Sequence, residues 1–154
     1  MKNGRPLLCW DIFMEGFHRR LNLADDIQQL AQLSQQQGWI HNLNFEHQLL
    51  WLDRTILVTD PALMIVYASS NMENMNGYTP DEVIGWRPSM FQGPETSLLT
   101  RQQLGEAIKK QTPFETTIIN YRKDGQQYLC HLEEYPLFNH KKDLVNFIAF
   151  EHRT

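Results

Sequence analysis

Two cysteines, Cys9 and Cys130, are all that these 154 residues contain. They are too few and too far apart for a disulfide framework, and two thiols suit a reducing compartment. No apolar run approaches the ~20 residues needed to cross a bilayer. Lys2 and Arg5 could open a secretory leader, but Asp11 and Glu15 interrupt the apolar core that a leader needs. A cytoplasmic protein with no membrane partner is therefore expected. An excess of basic charge is missing too: the formal net charge is −4, which disfavours nucleic acid as a partner. The histidines (His18, His41, His47, His131, His140 and His152) show no metal-ligand spacing, so no metal site is expected. Nucleophile elbows, phosphate loops and paired catalytic carboxylates are absent as motifs. No catalytic residue is assigned, and the chain is not read as an enzyme.

What is present is an ordinary globular composition, 42% hydrophobic and 21% charged. It divides into a helical extension over 1–44 and a main domain over 45–154. In the extension Trp10, Phe13, Met14, Phe17 and Leu21 recur at three- and four-residue spacing, an apolar stripe on one helix face. Leu23, Ile27, Leu30 and Ser34 continue a similar pattern. Asn22 followed by Asp25 could cap a second helix, so one helix from about Trp10 to Gln37 and two shorter ones both remain open. Gly38 suits a helix end. Phe45–Asp53 reads as a short helix. Ile56–Thr59 and Met64–Ala68 are β-branched segments joined by the turn pair Asp60-Pro61. Short helical turns follow over Met72–Met75, Pro80–Val83 and Trp86–Met90, then a helix over Ser97–Lys110. Phe114–Tyr121, Gln127–Leu137 and Leu144–Glu151 close the chain as strands. The order predicts an α+β fold: a five-stranded antiparallel sheet, short helices across one face, and an N-terminal helical extension.

The segment Gly85–Thr96, GWRPSMFQGPET, resembles the hallmark GRNCRFLQGPET of the LOV (light-oxygen-voltage) branch of PAS domains. ILVTDP at Ile56–Pro61, YASS at Tyr67–Ser70, GYTPDEVIG at Gly77–Gly85 and INYRKDG at Ile119–Gly125 follow in the same order. GYTPDEVIG is general to PAS domains, whereas FQGPET followed by INYRKDG is specific to LOV-like members. In LOV photoreceptors the cysteine of the hallmark attacks a photoexcited flavin, and Pro88 stands at that position here. Gln92 and Asn120 match flavin-contacting residues. Arg87 and Cys130 replace two asparagines, and Glu151 replaces the glutamine that senses the flavin. Leu98 and Gln102 stand where two arginines grip the flavin phosphate.

Residues 114, 116, 118 and 120 share one strand face, so with Asn120 inward the resemblance places Phe114, Thr116 and Ile118 inward as well. Cys130 and Leu132 on the next strand, Phe147, Ala149 and Glu151 on the last, and Leu57 and Thr59 on the first complete the implied pocket. Pro88 and Phe91 close it from the helical side. The bulk of these side chains predicts a small, mostly filled space, with Glu151 at its polar edge, Glu134 as a second inward acid, and Arg87 as the ion-pair partner of Glu151. Cys130 reads as a small buried residue ahead of a relocated reactive thiol. With the phosphate grip and the thiol gone, no cofactor is expected and FMN least of all. The leading expectation is a non-enzymatic PAS sensory and protein-interaction module. It would signal in trans to a partner protein, since only three residues follow Glu151, and would form a homodimer through Trp10, Phe13, Met14, Phe17 and Leu21. The alternatives are a sensor of a small non-flavin ligand and a degenerate flavin photoreceptor that forms no adduct.

Overall fold

The structure, a computed structural model, describes residues 9–154; Lys2 and Arg5 lie outside the described residues. One helix, α1 (Cys9–Gln37), runs through the extension without a break. Asn22 and Asp25 therefore cap nothing. The Asp25 carboxylate accepts from Gln29 Nε2 one turn on, at 2.8 Å. The helix ends at Gly38, whose φ of 69° is the left-handed conformation glycine adopts without strain. A wide π-type turn over His47–Trp51 leads into the sheet.

The sheet has five strands: β1 (Thr55–Thr59), β2 (Ile65–Ala68), β3 (Phe114–Tyr121), β4 (Gln127–Phe138) and β5 (Leu144–Arg153). Their spatial order is β2-β1-β5-β4-β3 and every pairing is antiparallel. β5, last in sequence, is thus the central strand. Between β2 and β3 lie α2 (Met72–Asn76), α3 (Pro80–Val83), one 3-10 turn (Pro88–Phe91) and α4 (Leu98–Lys110). Thr79 and Glu82 close a reciprocal capping box around Pro80 at the start of α3. Ser97 Oγ accepts from Thr100 N at the start of α4. The expected strands and turns all appear, with ends shifted by up to two residues.

Strand alternation gives the sheet two buried faces. Ile56, Val58, Leu137, Ile148 and Phe150 point outward, against Leu23 and Leu30 of α1 and against Trp39, Phe45 and Leu49. Leu57, Ala149 and their neighbours point inward, against Ile65, Met72, Val83 and Phe91. The C-terminal half of α1 therefore shares one core with the sheet. The contact is polar as well as apolar. Asp26, 5% exposed, accepts from Tyr67 Oη at 2.5 Å, Ser70 N at 2.9 Å and Ser70 Oγ at 2.5 Å. The N-terminal half leaves the body: Trp10 is 67% exposed and Phe13 61%, their rings stacked 5.8 Å apart. Among the described residues no helix is long and apolar enough to cross a membrane.

Candidate functional site

A cavity of about 240 Å³ lies between the inner sheet face and the helices. The space is therefore not filled, contrary to the expectation from side-chain bulk. It exceeds the ~150 Å³ that holds benzene in an apolar core and falls just short of the ~300 Å³ at which ordinary ligand pockets begin. Leu57, Thr59, Ile118, Asn120, Leu132, Phe147, Ala149 and Glu151 form its sheet wall, and Arg87, Pro88, Phe91 and Gln92 its helical wall. The structure brings these twelve of the fifteen residues implied by the resemblance to one cavity.

Three predicted residues are not part of the lining. Phe114 and Thr116 sit half-buried at the start of the edge strand β3. There α4 packs across β3, and Leu104 and Ile108 supply the wall instead. Cys130 is fully buried in the adjoining cluster of Met75, Ile118, Tyr128 and Leu132. Leu63, Ser89, Leu104, Ile108 and Glu134 also line the cavity. The four-residue step from Leu104 to Ile108 was the available signal for those two. Glu134 is the second inward acid read from the sequence, alternating with Leu132 on β4. Leu63, at φ 66° in the turn before β2, gave no signal.

The polar groups decide what the site can do. Thr59 is 5% exposed, and its Oγ1 has no hydrogen-bond partner among the described residues. Asn120 and Glu151 are both 5% exposed. Arg87 is exposed and makes no ion pair among the described residues; the predicted pair with Glu151 does not form. The 3-10 turn presents Arg87 to solvent at the rim, where a guanidinium keeps its hydration. Glu151 Oε2 instead accepts a weak bond from Cys130 Sγ at 3.6 Å. Burial pushes Glu151 up to about 7. Burial, and then the charge of Glu151, pushes Glu134 up to about 7 as well. Burial and Glu151 likewise push the Cys130 thiol far up, so it is held as the unreactive protonated form.

On the outer face, strand pairing gathers groups whose sequence spacing is uninformative. His131 Nε2 lies 3.1 Å from Glu115 Oε1 and 3.8 Å from Glu133 Oε1, and Arg54 pairs with Glu133 at 2.9 Å. Arg54 already engages the shared Glu133 carboxylate, so these polar side chains bridge neighbouring strands across the sheet.

The likeness to known proteins falls on this sheet and its helices. Protein TWIN LOV 1 of Arabidopsis thaliana is 33% identical over 105 residues, covering 65% of this chain and 26% of that protein. The voltage-gated inwardly rectifying potassium channel KCNH3 of Homo sapiens is 34% identical over 87 residues, 55% of this chain and 8% of the channel. The chain thus spans a small part of the curated relatives it matches. The dark structure of the blue-light photoreceptor Aureochrome1 LOV superposes with a TM-score of 0.66 at 26% identity, covering 74% of this chain and 85% of that one. Residues 53–152 match the PAS domain family. The chain belongs to the PAS domain family, and its neighbours are LOV-like.

Proposed function

We propose that this chain is a PAS sensory module whose inner cavity binds a compact ligand other than flavin. A partner protein reads occupied and empty states through β5 and α1. The observation that carries this reading is the cavity itself. Its walls are mainly apolar, and the unpartnered Thr59 Oγ1 and the buried Asn120 and Glu151 sit at its polar side. An apolar ring in a space of this size would gain contacts with the lining atoms.

The residues present do not fit flavin mononucleotide. Pro88 stands where the LOV pattern has its attacking cysteine, and a pyrrolidine ring has no thiol with which to form an adduct. Leu98 is 72% exposed and Gln102 is exposed, where the pattern has two phosphate-gripping arginines. Each charge-assisted bond missing there is worth about 1.5–3 kcal/mol. Gln92 and Asn120 remain, and their amides serve any ring with a polar edge. No catalysis is assigned: the lining pairs no nucleophile with a base.

Transmission follows from β5 being central. Phe147, Ala149 and Glu151 face the cavity, while Ile148 and Phe150 of the same strand pack against the outer core with Leu23 and Leu30. A second link is polar. Asn146 Nδ2 donates to Thr59 O at 3.0 Å, and Trp39 Nε1 donates to Asn146 Oδ1 at 2.8 Å, both buried. A shift of β1 or β5 around a ligand therefore reaches the chain just after α1. The test is a ¹H–¹⁵N correlation titration with one- and two-ring aromatic compounds. Shifts should centre on Ile118, Leu132 and Ala149 and extend to the Trp39 indole. Shifts confined to the exposed N-terminal half of α1, or no response to the panel, would reject the reading.

A further inference from the structure

Two carboxyl groups face one apolar cavity, and no basic side chain is paired with either. Glu134 and Glu151 lie on adjacent strands. Leu132 is opposite Glu151, and Glu134 is opposite Ala149, which makes the two acids diagonal neighbours. Such neighbours stand roughly 7–8 Å apart at the backbone, close enough for one cationic group to reach both. Neither makes an ion pair among the described residues. Among the described residues Arg87 is the one basic residue in the lining, and it sits exposed at the rim. Shielded acids are either paired or held neutral; a cation placed between these two would let them ionise. Independently, Thr59 Oγ1 is an unpartnered hydroxyl on the same wall, in a residue 5% exposed.

We propose that the cavity takes a compact aromatic or heteroaromatic cation. Its ring lies between Leu57, Phe91, Ile118 and Phe147, and its charged N–H group lies between Glu134 and Glu151. This rests on the ligand-pocket reading above and names the class of ligand. An anion would meet two carboxylates. A neutral ring would leave both acids without a partner. The titratable groups around the pair among the described residues are the Cys130 thiol and the Tyr128 phenol, both held protonated by burial, and Arg87, exposed at the rim. Because burial already disfavours ionisation of both acids, a bound cation releases protons on binding, and affinity rises as pH increases through neutrality.

The probe is benzamidine, an aromatic ring bearing an amidinium. Benzamide and benzoate are its neutral and anionic counterparts. All three are titrated by calorimetry against the full chain at pH 6 and pH 8, with the ¹⁵N-labelled chain reporting which residues respond. Benzamidine is expected to bind one per chain, at least tenfold tighter than benzamide and several-fold tighter at pH 8 than at pH 6. Benzoate is expected not to bind. Glu151→Gln and Glu134→Gln should each weaken benzamidine about tenfold and narrow its margin over benzamide. Glu115→Gln, on the outer face, should change neither. Equal binding of benzamide and benzamidine at the inner-wall residues would overturn the charge assignment and leave the ligand pocket standing. Failure of all three to shift Ile118, Leu132 and Ala149 would overturn both. Should either glutamine variant fail to fold, the benzamidine-to-benzamide ratio and its pH dependence in the unaltered chain decide the question.

Discussion

Glu151 shows how far a single position can be read in advance. The resemblance to the LOV pattern implied that it points inward, and the structure buries it there. Its partner was not legible. Arg87 is near in the motif, but which way a 3-10 turn presents a side chain depends on how that turn packs. A measurable consequence attaches to the two acids. Each is held up to about 7 in the folded chain, well above an ordinary carboxylate. The folded state therefore keeps protons that the unfolded chain releases. Their favourable contribution is complete below about pH 4.5 and is lost as pH rises through about 7. The melting temperature of the unliganded protein should fall between pH 5.5 and pH 8. The loss corresponds to on the order of a few kcal/mol, or several degrees for a domain of this size. Glu134→Gln/Glu151→Gln should flatten the profile. His152, whose protonation burial disfavours, acts in the opposite sense at the acidic end. Scanning calorimetry across that range checks the sign, and a flat profile in the unaltered chain would contradict it.

At the scale of elements, the main-domain strands and turns were legible because each carried a period and a bounding turn. Lys123-Asp124-Gly125 and the Asn139–Asp143 turn both close hairpins where expected. The docking of α1 was not. Its interior acids looked like caps because Asn and Asp favour helix starts, and nothing local says that Asp26 will meet Tyr67, 41 residues away. That contact is a strong test of how the extension is held. Asp26→Ala leaves the Tyr67 and Ser70 donors without their acceptor, which should cost about 1–3 kcal/mol. The expected result is a fall in denaturation midpoint with faster amide exchange across Leu23–Leu33. Unchanged exchange would mean that the apolar contacts of Leu23 and Leu30 hold the helix alone.

At the scale of the whole molecule, the extension has two halves with different fates. Leu23, Ile27 and Leu30 cover the outer sheet face, whereas Phe17 and Leu21 are 47% and 52% exposed and continue the stripe from Trp10. The homodimer proposed from the sequence would cover this exposed stripe symmetrically with a second copy of the chain. Phe13→Ser/Phe17→Ser should convert a dimer into a monomer in sedimentation at tens of micromolar while leaving the melting temperature within about 1 °C, since both residues lie off the core. A full-length chain that sediments as a monomer would reject the dimer. The proposed departure from flavin chemistry likewise rests on residues spread through the domain: Pro88 in the 3-10 turn, Leu98 and Gln102 in α4, and Glu151 in β5. Its most direct test is the visible absorption spectrum of the full chain after incubation with excess flavin mononucleotide and desalting. The account predicts a colourless protein. A yellow one carrying one flavin per chain, above all one that bleaches in blue light and recovers in the dark, would contradict it.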